Sequence, residues 1–181
     1  MEALGMLELL SIAKGIEAGD AIVKTAQVKL IHAIASCPGK YTVLIKGRVA
    51  AVKSAIEVGA ATAGKTMVNH IIIPNVDEQV FGALTQSSDV VIGDSVGVVE
   101  TFSLATAVLV ADAAVKAAKV SILEIRLGRG LGGKAFVVLS GDVANVTAAV
   151  KSAVDANGEE GMIAHTAIVP RIDKDMLRTL L

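Results

Sequence analysis

Cysteine is nearly absent: Cys37 is the single thiol in 181 residues. That excludes an intrachain disulfide and any zinc site built from several thiolates of one chain. A thiol-based site would have to be shared between subunits. Charge is also scarce, with 19% charged residues against a usual share of about 25%. The net charge of -1 excludes the basic field that nucleic-acid binding needs, and near-neutrality weakens the self-repulsion that keeps proteins apart. No apolar run approaches the ~18 uninterrupted residues of a membrane span. The opening Met1-Glu2-Ala3 has no basic region of a signal peptide, so a cytosolic protein without membrane contact is expected.

What is abundant is apolar surface: 53% of residues are hydrophobic before the 17 glycines are counted. A surplus that does not meet lipid is expected to meet other protein, so oligomerisation follows. The chain is also internally repeated. Laid along itself, Gly5-Met6-Leu7-Glu8 falls on Gly97-Val98-Val99-Glu100, and Asp20-Ala21-Ile22-Val23-Lys24 on Asp112-Ala113-Ala114-Val115-Lys116. After short insertions in the second copy, Gly39-Lys40 meets Gly133-Lys134, Pro74 meets Pro170 and Asp77 meets Asp173. The expected organisation is a first copy over 1–84, a linker over 85–94 and a second copy over 95–181.

Within a copy, residues 4–10 read as a strand. Residues 13–26 carry Ile16, Ile22 and Val23 at helical spacing behind a Ser11 cap, whose place Ser103 takes in the second copy. Residues 28–35 and 41–46 form a hairpin around Ser36-Cys37-Pro38-Gly39, residues 48–63 an Ala-rich helix, and residues 67–73 a β-branched strand. The order β-α-β-β-α-β predicts an α+β fold of two tandem ferredoxin-like, split βαβ domains, each an antiparallel sheet covered by two helices.

The turn Gly128-Arg129-Gly130-Leu131-Gly132-Gly133-Lys134 matches both G-x-G-x-x-G and the opening of a phosphate loop. Such loops work by leading into a helix whose N-terminal amides meet the phosphate, whereas residues 135–139 read as a strand. A nucleotide-binding regulator or enzyme using this loop is the competing class of function, and both motif matches read as accidental. His32, His70 and His165 fall in predicted strands without partners at metal-ligand spacing. Neither copy shows the residue sets of acid-base, nucleophilic or metal catalysis, so no enzyme is expected. Glu8 and Glu100 match on the first strand, where accepting backbone or Lys hydrogen bonds is the expected role. Lys24 and Lys116 follow Asp20 and Asp112 by one helical turn. Local ion pairing worth a few tenths of a kcal/mol accounts for them without a partner, and an interface role stays open. Cys37 is where the copies part chemically. It is either a free thiol or, in an exposed turn, a reactive or metal-binding one.

The string Gly5-Met6-Leu7-Glu8-Leu9 with Ser11, the Asp20-Ala21-x-x-Lys24 segment, the turn before Gly39-Lys40 and their second-copy echoes resemble bacterial microcompartment shell domains over nearly the whole chain. Two copies in this order resemble the family's tandem-domain class. The resemblance implies a homotrimer shaped like the hexagons of single-domain relatives, sited in a microcompartment shell. Its partners would be other shell proteins and an encapsulated redox enzyme.

The resemblance also implies that the hairpin turns line a central pore: Ser36, Cys37, Pro38 and Gly39 alternating with Gly128, Arg129, Gly130, Leu131 and Gly132. The Ser-Cys-Pro-Gly-Lys run is similar to that of tandem members carrying a [4Fe-4S] cluster at the pore, which makes Cys37 the implied ligand. Such a cluster ordinarily takes four thiolates, so a trimer with one cysteine per chain supplies three and leaves the fourth to an external ligand. Lys24, Lys116 and Arg171 match the residues that the family places at tile edges, while the first copy has Asn75 where Arg171 stands in the second. The leading expectation is a shell tile relaying electrons through the cluster. The alternative is an open or gated metabolite pore with Cys37 as a free thiol and Arg129 favouring anions.

Overall fold

The computed structural model describes residues 2–87, 90–128, 130–158 and 161–180. The chain divides into two compact units, Met1–Val76 and Asp77–Leu181. The first contains β1 (Ala3–Leu9), α1 (Ile12–Thr25), β2 (Val28–Ser36), β3 (Lys40–Gly47), α2 (Val49–Ala63) and β4 (Met67–Ile73). The second opens with α3 (Glu78–Thr85) and repeats the order as β5 (Ser95–Thr101), α4 (Leu104–Ala117), β6 (Ser121–Leu127), β7 (Ala135–Gly141), α5 (Val143–Asn157) and β8 (Ile163–Val169). It closes on α6 (Lys174–Arg178).

Each unit has one antiparallel four-stranded sheet, ordered β2-β3-β1-β4 in the first and β6-β7-β5-β8 in the second. This is the split βαβ order expected from the sequence. Alternation along β1 sends Ala3, Leu7 and Leu9 into a core with Ala18 and Ile22 of α1, Val43 and Ile45 of β3, and Val52, Ala55 and Ile56 of α2. The glycine shared by both copies marks a close approach of strand to helix. A Cβ on Gly5 would lie 2.7 Å from Val52 and 2.8 Å from Ile56, and one on Gly97 2.8 Å from both Val146 and Val150.

The caps at Ser11 and Ser103 form as expected: each hydroxyl accepts from the backbone N–H three residues on, Lys14 or Thr106, at 3.3 Å. The second helices differ between copies. Asp142 caps α5 by accepting from the Asn145 N–H at 2.8 Å, and the hydrogen bonds from Asn145 hold its carboxyl below the usual Asp range. At the matching place Arg48 makes no side-chain cap to α2.

Two features of the helices were not legible in their spacing. Of Ile16, Ile22 and Val23, only Ile22 enters the core, and the other two are exposed. The short α3, which the repeat assigns to the first copy, packs against β6 and α4 of the second unit. Val80 is buried there, and the Asp77 N–H donates to Asp112 Oδ1 at 2.9 Å. The Gln79 amide grips the start of β6 in both directions. Its Nε2 donates to the Val120 carbonyl at 3.3 Å and its Oε1 accepts from the Ile122 N–H at 3.2 Å.

Candidate functional site

The first hairpin turn joins β2 to β3 with Ser36 opposite Lys40 in the register. Its tip closes on a hydrogen bond from the Gly39 N–H to the Ser36 carbonyl at 3.0 Å. Gly39 adopts φ +85°, a left-handed conformation that an L side chain takes only with strain. The Cys37–Pro38 peptide bond is cis. Cys37 is a free, exposed thiol at this tip, while Ser36 beside it is buried. The turn is anchored from behind. Lys40 Nζ lies 2.6 Å from Glu8 Oε1, with the Glu8 side chain buried and Lys40 nearly so. Partnering Glu8 offsets the desolvation that an isolated buried carboxylate would suffer.

The second turn holds four left-handed glycines, with φ of 70° at Gly128, 72° at Gly130, 60° at Gly132 and 91° at Gly133. The Lys134 N–H donates to the Leu131 carbonyl at 3.1 Å. Arg129 lies outside the described residues. The loop leads directly into β7 at Ala135, so the helix N-terminus that a phosphate loop requires does not follow it. Lys134 and Glu100 repeat the anchor more loosely, at 3.4 Å and with both side chains partly exposed. The role anticipated for Glu8 and Glu100 is thus found. Its lysine partners were signalled by the Gly-Lys pair that recurs in both turns. Among the described residues no group of three or more His, Cys, Asp or Glu could hold a metal ion.

The lysines matched to tile edges pair within their helices: Lys24 with Asp20 at 2.6 Å, exposed, and Lys116 with Asp112 at 2.5 Å, where the aspartate is buried. Arg171 has φ 48° and its counterpart Asn75 φ 55°. Asn tolerates that region far better than Arg.

Residues 3–76 and 95–172 each match the BMC domain. Over 179 residues the chain is 40% identical to the bacterial microcompartment shell protein PduT of Citrobacter freundii, across 99% of this chain and 97% of PduT. The chain belongs to the bacterial microcompartment shell family. Shell protein EutM of Salmonella typhimurium is 44% identical over 75 residues, which is 40% of this chain and 78% of EutM. One copy is therefore similar to most of that relative. The crystal structure of a microcompartments protein from Desulfitobacterium hafniense DCB matches this shell protein with a TM-score of 0.93 and 43% identity, over 98% of this chain and 99% of that one.

The two units of this shell protein bury opposite sets of equivalent residues. On the first unit Ile12, Ile16 and Leu30 are 44%, 57% and 43% exposed, whereas their counterparts Leu104, Val108 and Ile122 are buried. Asp20 is exposed where Asp112 is buried. At the other end of the repeat the pattern reverses. Met176, Ile168 and Val169 are exposed, but of their counterparts Val80 and Ile73 are buried and Ile72 is partly so. Each chain thus leaves one apolar surface bare on its first unit and a different one bare on its second. Spacing alone did not reveal this, because a helical stripe shows periodicity whether a core or a neighbour covers it.

Proposed function

We propose that this shell protein forms a closed ring of three chains, a pseudohexagonal tile, and that Cys37 of the three chains holds a [4Fe-4S] cluster at the central opening for electron transfer across the shell. The reversed burial of equivalent residues supports the ring. Two different bare surfaces that the repeat makes complementary are what a head-to-tail interface needs, and such an interface closes into a ring when its rotation allows. Three two-copy chains match six of the single copies represented by relatives such as EutM. The turns at 36–39 and 128–132 would then alternate around the opening, and the exposed edges with Lys24, Lys116 and Arg171 would meet other shell proteins.

The cluster reading is carried by the placement of Cys37, an exposed thiol on a turn braced by the buried Glu8–Lys40 pair. With no metal-ligand group within one chain among the described residues, iron fits only where several copies bring Cys37 together. Three thiolates plus an external fourth ligand suit a cubane cluster, which supplies a one-electron couple when bound. The chain's own part is to hold the thiols at the tip and to set their exposure, which governs the potential. An encapsulated redox enzyme is the partner such a relay would serve.

The test is the visible and electron paramagnetic resonance spectrum of anaerobically reconstituted protein beside Cys37→Ala. A brown protein with a reducible cubane signal, lost in the variant while the ring persists, is the expected result. Colourless wild-type protein would overturn the relay and leave a shell tile whose opening serves metabolites.

A further inference from the structure

The internal duplication supplies a template for the joint between chains, residue by residue. Within the second unit, α3 is fastened to β6 and α4 by three hydrogen bonds: Asp77 N–H to Asp112 Oδ1, Gln79 Nε2 to the Val120 carbonyl, and Ile122 N–H to Gln79 Oε1. The counterparts of the upper partners on α6 are Asp173 and Asp175, and those of the lower partners are Asp20, Val28 and Leu30. Asp173 begins its helix as Asp77 does, with the side chain accepting from the N–H two residues on, at 2.8 Å against 3.0 Å. Met176 stands exposed where Val80 is buried, and Leu30 stands exposed where Ile122 is buried. Both halves of the joint are therefore present and bare.

The copies differ at one chemically decisive position. Gln79 carries both a donor and an acceptor, so it can satisfy the carbonyl and the N–H of the strand edge together. The carboxylate of Asp175 only accepts. We infer that α6 docks on α1 and β2 of the next copy of this chain, with Asp173 N–H on Asp20 and Asp175 on the Leu30 N–H. We infer also that this joint is weaker than its template, because Asp175 has nothing to donate to the Val28 carbonyl. The inference rests on the ring proposed above. The Asp175–Arg178 pair within α6, at 2.7 Å, is solvent-exposed on both sides and so holds Asp175 only weakly.

The test is subunit exchange, followed by native mass spectrometry after mixing isotopically labelled and unlabelled protein. Asp175→Gln restores the missing donor at every joint. Releasing one chain from a closed ring breaks two joints, so exchange is expected to slow by roughly thirtyfold, from about one net hydrogen bond at each. An assembled wild type with unchanged exchange in Asp175→Gln would overturn this inference and leave the ring standing. Wild-type protein that is monomeric at all concentrations would overturn the ring itself. As a geometric check, Asp20→Cys with Asp173→Cys in a Cys37→Ser background should yield oxidised dimers and trimers on a denaturing gel. An intact ring without those bands would place α6 elsewhere and sink the joint.

Discussion

Gly5 and Gly97 show how little room the first strand leaves at its helix. Adding one methyl at Gly5 presses on Val52 and Ile56 at distances that real Cβ atoms do not show. Gly5→Ala is therefore expected to destabilise the first unit by about 1–3 kcal/mol, as overpacked cores do, read as a lower urea midpoint with an unchanged slope. The pairing of Gly5 with Gly97 made this position legible from sequence, as did the recurrence of Glu8 and Glu100 on the same strand. What sequence could not supply was their unequal burial. The Glu8–Lys40 pair is enclosed and the Glu100–Lys134 pair open, although the four residues match two by two. Enclosure depends on neighbours remote in the chain, and identical local strings carry no record of them.

At the scale of the element, the two copies of the second helix form an internal control. Asp142 caps α5 and Arg48 leaves α2 uncapped. Placing a capping carboxylate there, Arg48→Asp, should stabilise the first unit by about 0.5–2 kcal/mol, checked by chemical denaturation with amide exchange in α2 as the local readout. Strands, helices and their order followed from periodicity and turn residues, because those signals act over a few residues. The packing of α3 did not. Its eight residues have enough apolar surface to dock, yet which sheet receives them is decided by Gln79 and Asp112, whose polar side chains carry no periodic signal.

For the molecule as a whole, the apolar surplus in the composition resolves into bare surfaces. Ile16 lies on one of them, exposed where Val108 is buried. Ile16→Lys is expected to abolish assembly while leaving the monomer's stability within about 0.5 kcal/mol, the usual range for surface substitutions. Sedimentation velocity with thermal melting would separate the two effects, and a variant that still sediments as a ring would move the interface away from α1. Composition gave the need for a partner, and the repeat gave the pairing of surfaces. Which half of each pair is covered is set by the packed structure, with Leu104, Val108 and Ile122 buried and Ile12, Ile16 and Leu30 bare.

The unlike turns, Ser-Cys-Pro-Gly in one copy and Gly-Arg-Gly-Leu-Gly-Gly in the other, have a consequence for heredity as much as for chemistry. In a hexagon of identical single-copy subunits, any change at the rim of the opening is imposed six times over, crowding like groups together. Fusing two copies into one chain frees alternate corners to vary separately. In the ring proposed above, one corner would carry the Cys37 thiol while its neighbour carries Arg129 and Leu131 among glycines, and an odd number of thiols would face the centre.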